Sequence, residues 1–320
     1  MITAQGSQRE AAVGVAYALL AYGLWGFSPL YFKAIHYVPA LDVLGHRVVW
    51  SAVFIAVLLG LRGRLGEIAG LLRDFSRLRW LIVSGLLIAA NWGVYIFAVQ
   101  SGRILEASLG YYINPLVSVF LGMLFLKETL RPWQWVAIAL AAAGTLNLVI
   151  SAGVVPWLSL FLAFSFGFYG LVRKAAPVPP MLGLFVETLL VTPAALLFLF
   201  WLGVQGEGAF GRIDRSTDLM LIAASLVTAL PLLWFTNGAK RLRLSTMGLF
   251  QYIAPTVQFC LAVFLYGEIF TAAHGITFSL IWFALLIYTT DVLRVQRKSW
   301  AWQRAERAIA ADSKRDGKIG

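Results

Sequence analysis

Asp42, His46 and Arg47 stand close together in LDVLGHRVVW (41–50), at the head of an otherwise apolar run. An imidazole titrates near neutrality and can pass protons. A guanidinium is a permanent cation that forks onto an anionic group. Glu187, in VETLL (186–190), is the one acid deep in another apolar run. Two prolines form a further pair, Pro115 in INP (113–115) and Pro255 in IAP (253–255). Around them stand Tyr111, Tyr112, Asn114, Gln251, Tyr252 and Gln258, where uncharged groups can both donate and accept. AANWGVYIF (89–97) and ALPLLWFTNG (229–238) add the aromatic-amide groups Asn91, Trp92, Tyr95, Trp234 and Asn237. This chemistry suits holding a small molecule and moving protons.

Other chemistry lacks its context. GEGAFG (206–211) has the spacing of a nucleotide loop but lies between two apolar runs, not between a strand and a helix. His36, His46 and His274 fall in different segments and make no metal spacing. No G-x-S-x-G, H-E-x-x-H or Walker sequence occurs. The expectation is therefore no enzyme, no cofactor and no metal.

The elements that carry these residues are membrane helices. Hydrophobic residues make up 60% of the chain and charged ones 13%, with mean hydropathy +0.79. A soluble domain carries about a quarter charged residues. Ten runs near the length of a bilayer core read as spans: 13–33, 41–61, 80–100, 105–126, 133–151, 155–173, 181–203, 218–239, 246–266 and 273–293. The formal charge of +11 raises nucleic acid as a partner, but its placement argues for topology instead. Most Lys and Arg residues fall in alternate loops and the tail, which puts both termini in the cytoplasm and the protein in the cell (inner) membrane. Cys260 lies alone in the ninth span, so an intrachain disulfide is excluded. The first apolar run is long enough to span and reads as a helix rather than a cleaved signal.

The chain also repeats itself at an offset of 140–141 residues. LLAYGLWGFSPLYFK (19–33) lies over FLAFSFGFYGLVRK (161–174), and SLGYYINPLVSVFLGMLFLKE (108–128) over GLFQYIAPTVQFCLAVFLYGE (248–268). Pro115 then meets Pro255, Glu128 meets Glu268, and His46 meets Glu187. Five spans per repeat is an odd number, so the halves enter the membrane in opposite directions, as in many secondary transporters. The expected organisation is an N-terminus (1–12), two five-helix repeats (13–151 and 152–293) and a basic tail (294–320). The fold class is all-α and polytopic.

These same motifs, with HRVVWS, LSTMGLFQYIAPT and VETLL, resemble the EamA domain of the drug/metabolite transporter superfamily, and within it the RarD-type chloramphenicol-sensitivity proteins. The resemblance implies ten spans in two five-helix repeats and export of small molecules from the cytoplasm. One departure shows: the Gly-Glu closing the fourth span reads Lys127-Glu128 here, while Gly267-Glu268 keeps the pattern.

Proline frees the carbonyl four residues back, so the paired prolines near mid-span are expected to line the substrate cavity with the tyrosines and amides beside them. His46 and Arg47 lie roughly 6–9 Å into the second span, with Asp42 near the headgroups. Arg47 either bonds helix-end carbonyls or attracts an anionic substrate group. His46 is either a satisfied core histidine or a carrier of coupling protons. Glu187, placed by the repeat near the opposite face, reads as an inner gate or proton acceptor. Glu128 and Glu268 read as structural, each beside the start of the next helix. RGRLGEIAGLLRDFSRLR (62–79) and the tail read as lipid-surface segments. The leading function is secondary-active export of small organic molecules with protons as coupling ion. An intramembrane enzyme acting on a lipid-linked substrate is the alternative, and it needs its ionisable groups at one depth. Glu187→Gln is expected to impair transport, while a short crosslinker between positions 47 and 187 is expected to fail; efficient crosslinking of that pair would overturn the two-depth reading.

Overall fold

Hydrocarbon offers backbone N–H and C=O groups no partner but each other, which leaves helices as the spanning element for such a chain. The computed structural model describes residues 4–101, 104–153, 157–267 and 272–316. Twelve α-helices run in order: α1 Ala4–Ala34, α2 Ala40–Leu61, α3 Gly66–Arg73, α4 Phe75–Gln100, α5 Ile104–Leu126, α6 Pro132–Ala152, α7 Trp157–Ala175, α8 Pro180–Gln205, α9 Arg215–Arg241, α10 Leu244–Gln251, α11 Ile253–Cys260 and α12 Ala272–Asp316. A π-helical turn, Leu261–Leu265, continues α11. Ten helical stretches are long and apolar enough to cross a membrane, the ninth being Leu244–Leu265. Side chains such as Leu86, Leu197 and Phe200 stay widely exposed along them.

The helices fall into two compact units, Met1–Glu128 with Val149–Thr271, and Thr129–Leu148 with Ala272–Gly320. In the smaller unit α6 and α12 are tied by polar contacts: Asn147 donates to the Ala273 carbonyl (3.1 Å) and to Thr277 Oγ1 (3.0 Å). Arg131 Nε donates to Asp291 at 2.7 Å. In the larger unit, α1 packs on α9, α2 on α8 and α9, α4 on α7, and α5 on α7 and α10. Its core joins Tyr22, Ile55, Leu81, Tyr169, Val186 and Phe235, contributed by six helices.

The paired prolines act unequally. Helix α5 runs through Pro115 unbroken, whereas the ninth span breaks between α10 and α11 at Tyr252. At that break the Tyr252 N–H turns back to Leu249, three residues away (3.2 Å). Gly248 lets this junction touch α5: a Cβ there would lie 2.7 Å from the Pro115 carbonyl oxygen. The segment read as lipid-facing folds into α3 and the start of α4, with Leu71 buried while Leu72 and Phe75 stay exposed.

Helix ends are closed by side chains from elsewhere. Asp214 caps α9, accepting the Thr217 N–H (2.6 Å) and the Ser216 hydroxyl (2.9 Å). Those donors hold its carboxyl below the usual aspartate range. The cap is therefore present above the unfolded pKa and is lost as pH falls through the depressed folded value. Glu128 does not serve the helix that follows it. It accepts the Leu244 N–H (2.6 Å) and the Ser245 N–H (3.0 Å) and hydroxyl (2.6 Å), capping α10 instead. Glu268 lies outside the described residues.

The turn that aims Glu128 is the one where the sequence departs from Gly-Glu. Lys127 adopts φ +52°, and Gly267, its counterpart, φ +66°. The left-handed region costs a side-chain-bearing residue about 1 kcal/mol or more, and glycine nothing comparable. Lys127→Gly is therefore expected to stabilise the protein by up to about 1 kcal/mol, read as a higher thermal midpoint in detergent.

Candidate functional site

Arg47 is carried by α2 and faces α1, α4, α5 and α9. Its Nε donates to Thr228 Oγ1 on α9 at 2.8 Å. The guanidinium lies 5.2 Å from the Phe32 ring and 6.0 Å from that of Trp92, and Tyr31, Tyr95 and Tyr111 are close enough to interact with it electrostatically. No described carboxylate reaches it. Tyr95 and Tyr111 pack edge to face, 6.3 Å between centroids. Tyr111 keeps 44% of its surface accessible and Arg47 is half-buried. The arginine thus sits in an open recess among aromatic rings.

Asp42 and His46 lie on the same helix but serve the 206–214 loop. Asp42 is buried rather than at the headgroups, and its Oδ2 accepts the Ala209 N–H at 2.7 Å. Its other oxygen sits 3.4 Å from His46 Nε2. The imidazole stacks on Phe210 at 5.0 Å. His46 is thus held by a carboxylate and a ring, while Arg47 turns to the recess.

Glu187 occupies a separate, fully packed node. Its Oε1 lies 3.3 Å from Arg173 Nη1, with 0% and 1% of the two side chains exposed. Ser84 on α4 donates to the same oxygen, and Tyr169 on α7 donates to Oε2 at 3.4 Å. Arg173 Nη2 donates to the Pro180 carbonyl at 2.9 Å. A Cβ at Gly183 would fall 2.0 Å from Arg173 Nη1, so the guanidinium has room only because α8 carries glycine there. Nearby, Lys174 on α7 donates to the Ala239 and Leu242 carbonyls at the end of α9, and Lys240 on α9 donates to Ala176 just beyond α7. Each helix end is closed by the other's lysine.

The two nodes lie at different depths. Gly45 packs on Leu199 and Arg62 Nη1 meets Met181 Sδ, which aligns α2 and α8 antiparallel. Glu187 then stands opposite a point roughly ten residues beyond Arg47, about 15 Å along the axis. Between them lies Trp92. One side of its ring meets Arg47, and the residue also lines a cavity of about 10 Å³ with Glu187, Thr188, Tyr169 and Leu184, room for about one water.

Beside the second proline an open hollow of about 480 Å³ is lined by Phe27, Thr256, Val257, Cys260 and Leu261, but the polar groups expected around the prolines do not line it. Asn114, Gln251 and Tyr252 are buried, Tyr112 nearly so. Tyr252 donates to the Tyr112 carbonyl at 3.2 Å, Ser118 donates to Asn114 at 3.2 Å, and Gln258 donates to the Trp25 carbonyl at 3.1 Å. These groups stitch α5, α10, α11 and α1 together, so the polar groups expected to line a cavity at Pro115 and Pro255 are spent on helix contacts. Asn91 likewise ties α4 to α7, donating to the Leu162 carbonyl (3.0 Å) and Ser165 (2.8 Å). Asn237 is spent within α9 on Leu233 and Arg241, and Trp234 packs on the core. Of the expected pathway groups, Trp92, Tyr95, Tyr111 and Arg47 are brought together. Sequence reasoning missed Phe32, Thr228, Ser84, Tyr169 and above all Arg173, which reads as one more cytoplasmic charge. At offset 141 Arg173 overlays Phe32, while Glu187 overlays His46, the residue before Arg47.

Ten spanning-type helices among the described residues, with two polar nodes and an aromatic recess within the larger unit, define an integral multi-pass membrane protein of the transporter kind. The comparisons agree. The EamA-like transporter family matches residues 12–150. A protein named "Uncharacterized transporter" from Vibrio cholerae is 47% identical over 90% of this chain and 95% of its own. Protein RarD of Salmonella typhi is 46% identical over 91% of this chain and 99% of its own. The chain belongs to the EamA-like transporter family, among its RarD-like members. A chain of known crystal structure, 19% identical, superposes with TM-score 0.70 over 87% of this chain and 98% of its own, sharing the fold.

Removing one partner of a fully buried ion pair strands the other at a cost of about 3–5 kcal/mol, while an apolar replacement of both is often neutral. Arg173→Met and Glu187→Leu are each expected to lower folded yield and thermal stability in detergent sharply. The double variant is expected to recover most of the loss. Equal losses in single and double variants would show that the ion pair is not what couples these two positions.

Proposed function

We propose that the chain is a secondary-active transporter that exports small organic molecules of the drug/metabolite class from the cytoplasm by alternating access, coupled to protons. The observation that carries this is the inequality of the two nodes. The Arg47 recess is accessible, while the Glu187 node about 15 Å away is packed shut under Tyr22, Trp25, Phe166, Tyr169 and Phe235, whose rings touch one another. A molecule leaving the recess toward the other face meets Trp92 first and that aromatic plug next. The sequence offset supports the reading. Arg47 on α2 is bonded to α9, and Glu187 on α8 to α4, so each node borrows a helix from the other half of an inverted repeat. Ionisable groups divided between two depths fit gates better than one catalytic centre.

With the termini cytoplasmic, as the Lys/Arg bias favours, the recess opens outward and the ion pair seals the inner side. His46, facing Asp42, and Glu187, facing Arg173 and Tyr169, are the groups that exchange the coupling protons. The test is efflux of a defined metabolite mixture from proteoliposomes, with and without a pH gradient, against His46→Ala. The gradient is expected to accelerate efflux several-fold, and the variant to lose part of that response. Flux indifferent to the gradient removes the coupling; no flux of any component removes the transport reading.

A further inference from the structure

A permanent cation inside a membrane protein without a counter-ion is costly and marks function. Arg47 is such a cation among the described residues. It differs in kind from Arg173, which has Glu187 beside it and whose Nε and Nη1 are fully enclosed without a hydrogen-bond acceptor. In Arg47 only Nε is engaged, by the Thr228 hydroxyl; its Nη atoms are not among the enclosed, unsatisfied ones. Nε held from one side and rings at 5.2 and 6.0 Å on the others fix the guanidinium plane. What remains open is the forked Nη edge, which matches a carboxylate in two parallel hydrogen bonds. Within electrostatic reach of the guanidinium stand the accessible side chains of Tyr95 and Tyr111, flat surfaces suited to an apolar or aromatic body.

We infer that Arg47 selects the substrate: the transported molecule carries a carboxylate that docks on the Arg47 fork, joined to a flat apolar body that lies against Trp92, Tyr95 and Tyr111. The inference rests on the transport reading above and narrows its substrate class to organic anions. Thr228 is a positioning residue, since it orients the guanidinium without reaching the ligand.

The probes are N-acetylphenylalanine and N-acetylphenylalaninamide, alike in shape and differing in charge. Calorimetric titration of the full chain in detergent is expected to show the acid binding about tenfold or more tighter than the amide. Arg47→Gln is expected to erase that preference, and Arg47→Lys to restore part of it, because an ammonium keeps the charge but not the fork. Tyr111→Ala is expected to weaken acid and amide by a similar factor and leave their ratio unchanged. This arm separates the wall from the anchor, even if the Arg47 variants fold poorly. Equal binding of acid and amide, no binding of either, or a ratio that survives Arg47→Gln overturns the inference. Proteoliposome efflux of the metabolite mixture keeps the two claims distinct. Efflux of neutral or cationic components unaffected by Arg47→Gln leaves the transporter standing and sinks the anion selectivity, whereas absence of all efflux sinks both.

Discussion

The burial of Arg173 against Glu187 sets the terms for one whole end of the larger unit. Two full charges have left both water and hydrocarbon, so every remaining lone pair and N–H near them needs a partner. That need recruits Ser84 from α4, Tyr169 from α7 and the Pro180 carbonyl at the head of α8. It also forbids a side chain at position 183. The ends of α7 and α9 obey the same rule, since their last carbonyls would lie bare at the membrane surface. Lys174 and Lys240 close them reciprocally. Long amphipathic stems let each ammonium cross to the neighbouring helix while its methylenes stay packed.

Arg47, one residue past the counterpart of Glu187, shows a cation whose charge partner is missing among the described residues. Three helices meet there too: Thr228 of α9 accepts from Arg47 of α2, and the Phe32 ring of α1 lies beside the guanidinium. A ring can orient a guanidinium but cannot neutralise it, so the site stays electrostatically incomplete. An incomplete site is poor scaffolding and a good receptor.

How far the sequence showed this depends on the kind of signal. The spans were legible because twenty apolar residues in a row have few other readings, and the start of α2 at Ala40 and of α8 at Pro180 agrees with the runs at 41–61 and 181–203. The separation of Arg47 from Glu187 was legible because depth follows from residue counting. The partner of Glu187 was not, because Arg173 follows a long apolar run and precedes Lys174, where charge statistics read a cytoplasmic marker. Nor was the fate of the prolines. A proline in a span permits a cavity or a tight helix contact, and Gly248 decided for contact by admitting the Pro115 backbone to within van der Waals reach of α10. Glu128 shows the same limit: a carboxylate beside a helix start invites local capping, yet the left-handed turn at Lys127 aims it at a helix more than a hundred residues on.

Trp92 is where the two nodes are most directly coupled. Its ring is within cation–π reach of Arg47, and it shares a water-sized cavity with Glu187. A rotation of α4 that moved the ring away from the guanidinium would change the packing above the acid at the same time. Ser84 lies on that helix, two turns earlier, and bonds Glu187 directly. A displacement of α4 therefore also moves the hydroxyl that Ser84 gives to Glu187. The coupling needs no long chain of relays, because one helix carries both the septum and the hydroxyl that completes the seal.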